Sequence, residues 1–268
     1  MKMLTGIAAA VLLFAVGCIG EVPPQPDGED PIPGADADVL EGASLSGQVQ
    51  DWFTGDPIPN VTLTTAGLAT PLTATSGADG SYSFEDIPTG QEFSVVADAG
   101  ENYLTTTNPR MQFDDVPLVS NLRVVSLADT QRQHATVGLT YDPLLSFVVA
   151  DLLKGDGTPR DGVALADVLL VDALQAPAGA GTYFIGALGD IDPVKETSSP
   201  VNGRASAAVL NVPPATLTFN VTYPADQDGG QGGGNLLKTE PLATLAGNAI
   251  IVEINSKVGV AGGGGDGN

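Results

Sequence analysis

Few residues in this chain could do chemistry. There is one histidine, His134, and one cysteine, Cys18. Zinc sites built from His and Cys are therefore ruled out, and a Ser-His-Asp hydrolase would have to draw on His134. That residue stands in the polar stretch ADTQRQHATVG and is expected to be a solvent-exposed bystander. Oxygen ligands for calcium are more plentiful: Asp151, Asp156 and Asp161, the pair Asp190 and Asp192, and Asp226 with Asp228 all lie in Gly-rich segments. None has the spacing of an EF-hand or a calcium-binding nonapeptide, and aspartates in such loops cap turns through their own side chains. Trp52 and Phe53, or Tyr183, could form a stacking platform for a sugar, but the aromatic content is only 5%. No set of acid, base and nucleophile emerges. The expectation is a non-enzymatic protein with no catalytic, cofactor-binding or metal-binding residues.

Cys18 is different, because its surroundings give it a task. Lys2 precedes an apolar stretch from Ile7 to Val16, the charged start and short apolar centre of an export signal, too short to span a bilayer comfortably. The stretch ends in Ala15-Val16-Gly17-Cys18, which resembles the bacterial lipobox, with Ala15 where Leu is more usual. The resemblance implies a signal peptide over 1–17, cleavage before Cys18 and lipid on that cysteine. A diacylglyceryl group would anchor firmly, at about 0.8 kcal/mol per buried methylene. Ile19, rather than Asp, after the cysteine implies sorting to the outer membrane of a Gram-negative bacterium. A lone cysteine also forbids any internal disulfide.

The balance of 10 Lys plus Arg against 32 Asp plus Glu gives a formal charge of -22, which repels nucleic acid and anionic headgroups alike. The partners expected are thus the membrane, through the lipid on Cys18, and a protein or glycan ligand. Residues 18–43 are rich in Pro, Asp, Glu and Gly and have little to bury, so they are expected to be an extended tether. The tail 257–268 and the glycine-rich loop from Asp226 to Asn235 are expected to be disordered or mobile in the same way.

The elements between them read as β. Gly (34) and Pro (20) are abundant, which suits short strands joined by tight turns. From Ser44 to Ala99 apolar residues alternate at period two: Val61 and Leu63, Tyr82 and Phe84, then Phe93, Val95 and Ala97. Turn residues separate them at Gly55-Asp56-Pro57, Gly77-Ala78-Asp79-Gly80 and Pro88-Thr89-Gly90. The segments SGQVQDWFTGDPIPNVTLT and ADGSYSFEDIPTGQEFSVVAD resemble the carboxypeptidase regulatory-like domain, through Asp51, Thr54, Gly55, Pro57, Val61, Asp79, Gly80, Tyr82, Phe84, Ile87, Pro88 and Gly90. The resemblance implies a transthyretin-like (prealbumin-like) Greek-key sandwich over residues 44–128, with further strands at Tyr103 to Thr107 and Asn121 to Ser126. It also lends weight to a carbohydrate-binding accessory role, since this sandwich is close to starch-binding domains.

The pattern returns in divergent form. Asp151, Gly155, Asp156 and Pro159 reproduce the spacing of Asp51, Gly55, Asp56 and Pro59, and Asn202-Gly203 leading to Val212-Pro213 matches Asp79-Gly80 leading to Ile87-Pro88. In this alignment Leu152 and Leu153 are the counterparts of Trp52 and Phe53. The second copy, 145–256, carries about 23 extra residues, mostly between Ala173 and Pro200. A connector, 129–144, with a short helix within Leu127 to Leu139, joins the two. The fold class expected is all-β: two antiparallel Greek-key sandwiches on a tether, acting as a binding or spacer module at the cell surface.

Overall fold

The computed structural model describes residues 43–113, 116–224 and 235–256. Cys18, the signal peptide, the tether, the tail 257–268 and the loop aspartates Asp226 and Asp228 lie outside the described residues.

The first sandwich is built from β1 (Ala43–Asp51), β2 (Thr62–Ala66), β3 (Thr73–Thr75), β4 (Ser81–Ile87), β5 (Glu92–Asp98), β6 (Tyr103–Thr107), β7 (Met111–Gln112), β8 (Leu118–Val119) and β9 (Leu122–Ser126). Helix α1 (Leu127–Thr136) follows. The second sandwich contains β10 (Ser146–Leu153), β11 (Val168–Val171), β12 (Gly181–Ile185), β13 (Ile191–Asp192), β14 (Ser206–Val212), β15 (Thr216–Tyr223), β16 (Leu236–Ala243) and β17 (Asn248–Asn255). The protein is thus an all-β sandwich protein. The alternation read in the sequence places Leu45, Val49, Leu63, Phe84, Phe93 and Val95 in one core, and Val148, Leu152, Phe219, Val221 and Ile250 in another.

Most pairings are antiparallel, but each sandwich also has a parallel seam. In each, the opening strand lies between an antiparallel and a parallel neighbour: β1 between β4 and β9, β10 between β14 and β17. The repeat extends to single hydrogen bonds. Ser76 Oγ donates to the Ile58 carbonyl at 2.9 Å and accepts from Val61 N at 2.9 Å. Ser198 Oγ does the same between the Arg160 carbonyl and Val163 N, both at 3.0 Å. Each serine thereby satisfies two groups that the turn leaves unpaired.

These bonds correct the register drawn from spacing. Gly55 (φ 78°) donates its N–H to the Asp51 carbonyl at 2.9 Å, and Gly157 (φ 80°) donates to Lys154 at 2.9 Å. The counterpart of Asp51 is therefore Lys154, not Asp151, and that of Gly55 is Gly157. The positive φ that a Cβ would strain fixes the equivalence better than the Asp-Gly spelling does. Leu152 corresponds to Val49, since both take an N–H bond onto the turn before β14 or β4 (Leu152 N to Ala205 O and Val49 N to Gly80 O, each 2.8 Å). The Ile87 and Val212 match holds: Ile87 pairs with Ala43, Val212 with Ser146, and the residue before each, Asp86 or Asn211, has positive φ at a bulge. The extra residues of the second copy supply the hairpin β12–β13, which pairs onto β14.

The two sandwiches meet. Strand β17 pairs in parallel with β6, Asn248 to Ile250 against Thr105 to Thr107. One hydrogen-bonded path therefore runs β13-β12-β14-β10-β17-β6-β5-β2-β3 through both. A third apolar cluster, with Trp52, Leu104 and Val125 from the first sandwich and Phe147, Val149, Ala208 and Ile251 from the second, fills the junction. Strand β10 is buried on both faces as a result.

Helix α1 closes one side of this cluster. Ser126 caps it, its hydroxyl accepting from Asp129 N at 3.2 Å. Its buried stripe is polar: Thr130, Gln133 and His134. His134 is 1% exposed, which corrects the expectation of a solvent-exposed residue. Its Nδ1 meets the Thr130 carbonyl at 2.8 Å and its Nε2 the Asn211 Oδ1 at 3.0 Å. Gln133 is likewise fully used, accepting from Ile191 N at 2.6 Å and donating to Asp190 at 3.1 Å. A helix can turn a polar face inward when each group finds a partner there.

Candidate binding groove at the junction of the sandwiches

The junction also sets the position of the residues singled out in the sequence. Trp52 is 2% exposed, edge-on to Phe53 and Phe147, and the Arg204 guanidinium sits 4.7 Å from its ring centre. Arg204 also donates to the Trp52 carbonyl at 2.6 Å. The indole face is therefore occupied, and Trp52 offers no platform to a sugar. Tyr183 packs half-buried against the same cluster.

The aspartates serve their own turns. Asp51 accepts from Phe53 N and Thr54 N, Asp156 from Thr158 N and its hydroxyl, and Asp192 from Val194 N. Hydrogen bonds from Thr158 hold the Asp156 carboxyl below its usual range. Asp190 is held by Arg132 and Gln133, and Asp161 lies 4.0 Å from Lys154. Among the described residues no three His, Cys, Asp or Glu side chains come together to hold a metal.

Asp151 has the most specific surroundings. It is 2% exposed, accepts from the Ser206 hydroxyl and forms a 2.9 Å ion pair with Arg123 of β9. It thus binds the second sandwich to the first. Glu253, its partner across the parallel β10–β17 pair, is reached by solvent but crowded by protein. Burial raises its carboxyl above the usual range, the Asp151 charge adds to this, and Arg123 opposes it.

These charges border an open groove of about 1750 Å³ between the sandwiches. Its walls come from β5 and the segment Pro109 to Gln112 on one side and from β16 on the other, with β17 along the floor. Arg110 reaches across it, pairing with Glu240 at 2.9 Å and Glu92 at 3.7 Å and donating to the Pro241 carbonyl. Burial raises the Glu240 carboxyl while Arg110 draws it down. Among the described lining residues there is no aromatic ring; Met111, Leu153, Leu237 and Leu242 give it an apolar share between the charges. The sequence reading missed the groove, because its walls are strand edges and outer faces that only tertiary packing brings together.

No protein-family model and no curated protein matches the chain. Among solved structures, the TIE protein of Bacillus anthracis is 11% identical over 80% of this chain, with a TM-score of 0.28. The chain spans about a third (34%) of that protein's length. A DUF3823 family protein of Bacteroides ovatus is 13% identical, covering 75% of this chain and 98% of its own, at a TM-score of 0.27. The major pilin subunit of Bacillus cereus is 8% identical, covering 80% and 99%, at 0.26. TM-scores this low carry no argument about function.

Proposed function

We propose that this chain is a non-enzymatic lipoprotein, anchored through lipid on Cys18 to the outer membrane of a Gram-negative bacterium, that presents a binding groove on an acidic tether. In this reading its domains are of the carboxypeptidase regulatory-like kind. The observation that supports a binding role over a plain spacer is the groove itself. A spacer needs only two sandwiches in series. Here an ion pair, a shared strand pairing and a common apolar cluster hold them at a fixed angle around a cleft large enough for an extended ligand.

The carbohydrate reading has less support, since Trp52 is covered and no described lining residue is aromatic. The test is a glycan array and a protein pull-down with the mature chain and with its Arg110→Glu variant, which breaks the charge pattern across the groove. A protein ligand lost in the variant is the expected result; a glycan bound equally by both would overturn the groove as the binding face.

A further inference from the structure

Arg204 is a half-buried cation with no ion-pair partner among the described residues, whereas Arg110, Arg123 and Arg132 each have at least one carboxylate. Its guanidinium lies over the Trp52 ring, and Nη2 donates to the Trp52 carbonyl. The other terminal nitrogen, Nη1, is out of reach of solvent and has no hydrogen-bond partner among the described residues. Burial lowers the pKa of Arg204, the nearby Arg123 charge adds to this, and Asp151 and Asp51 oppose it without cancelling it. Part of its charge is thus left uncompensated, and a charge taken out of water is ordinarily paired.

A second donor is stranded beside it. Trp52 is 2% exposed, and its Nε1–H likewise has no partner among the described residues. Indole and guanidinium nitrogens can only donate, so two stranded donors on touching side chains call for an acceptor. Both side chains line one small cavity at the junction of the sandwiches, with Phe53 and Ile185 as apolar walls and the Asn202 amide as a further possible donor. The space open to the centre of a water-sized sphere is about 10 Å³, room for a single monatomic ion or a single water.

We propose that this cavity is a halide site, in which one chloride ion accepts from Trp52 Nε1 and Arg204 Nη1. A water could accept from the same donors, but it would leave the guanidinium charge unpaired. The formal charge of -22 opposes any anion at long range, yet salt screens that field beyond about 8 Å, while contact with a half-buried guanidinium is screened much less. Trp52 follows β1 of the first sandwich and Arg204 precedes β14 of the second, so a bound ion would tie the two together. The site is separate from the groove's binding role and does not depend on it.

Trp52 is the one tryptophan of the chain, so its emission reads the site directly. The full mature chain is titrated with sodium bromide in place of sodium gluconate at constant ionic strength; bromide quenches indole on contact, and gluconate is too large for the cavity. A saturating loss of emission is expected. Chloride, a much weaker quencher, should compete and move the bromide midpoint upward by about twofold or more. Arg204→Met, which keeps a long apolar stem on the ring, is expected to lose the saturating phase, with circular dichroism in gluconate reporting whether it is folded. Should that variant not fold, the chloride competition on the parent chain decides alone. Quenching that rises linearly without saturation, a bromide midpoint that chloride leaves in place, or a saturating phase that survives in folded Arg204→Met would each overturn the proposal.

Discussion

Arg123 holds the buried carboxylate of Asp151 at 2.9 Å, one residue in the last strand of the first sandwich and the other in the first strand of the second. The Arg123 side chain is 26% exposed and that of Asp151 only 3%, so the pair is unequal. Removing the arginine leaves a buried charge with the Ser206 hydroxyl as its main support. Arg123→Ala is expected to cost about 2–3 kcal/mol in urea unfolding, somewhat below the usual cost of breaking a buried pair because the arginine is partly wet. Asp151→Asn, which removes the charge and keeps the shape, should cost less. Equal and negligible losses would mean that the pair does not bind the sandwiches together.

The junction should also report itself optically. Trp52 is the chain's one tryptophan, and it sits in the shared apolar cluster. Its emission is expected to be blue-shifted and poorly quenched by acrylamide in the folded chain. Trp52→Ala is expected to destabilise by about 3–5 kcal/mol, as large aromatic truncations in a core do. A red, readily quenched emission in the native chain would place Trp52 at the surface instead.

Glu253 gives a pH dependence with a definite sign. Its folded-state pKa is raised, so the folded chain binds the proton more tightly than the unfolded chain. Stability from this group is present below the ordinary glutamate range and is lost as pH rises through the raised value. Glu253→Gln should therefore raise the melting temperature at pH 7 by on the order of 1–2 °C, and the gain should shrink toward acid pH. A gain that grows on acidification would contradict the assignment.

Residues 42–128 and 140–258 contain separate apolar cores, and each is expected to fold alone with a β-type circular dichroism spectrum. Each would also expose its part of the shared cluster and lose the β6–β17 pairing. Both fragments should therefore melt below the intact chain, by on the order of 10 °C, while the intact chain melts in one transition. An unfolded fragment would show that the two cores depend on each other.

The strands and their two cores were legible because alternation at period two needs only the sequence; Phe93, Val95 and Ala97 declare their inward face unaided. The junction was less so. Its signal was the run Phe147-Val148-Val149-Ala150, apolar at consecutive positions, which marks a strand buried on both faces. Arg123 and Asp151 gave no signal, since their meeting depends on the angle between the sandwiches. His134 carries no such signal, because a polar helical stripe usually faces water, and the partners that hold it inside include Asn211, 77 residues away, and the Tyr141 and Phe147 rings. The turn residues reveal the repeat but not its register, because the turn after β10 (Lys154 N to Thr158 O) is one residue shorter than the one after β1 (Asp51 N to Asp56 O).

The claim that this is a lipid-anchored surface protein depends on Cys18, and one measurement addresses it directly. The full precursor and its Cys18→Ser variant are expressed in a Gram-negative host with radiolabelled palmitate, and the membranes are fractionated. The parent chain is expected to carry label and to sediment with the outer membrane, while the variant carries none and appears in the soluble fraction. A variant that still labels and still follows the membrane would contradict the anchor on which the account rests.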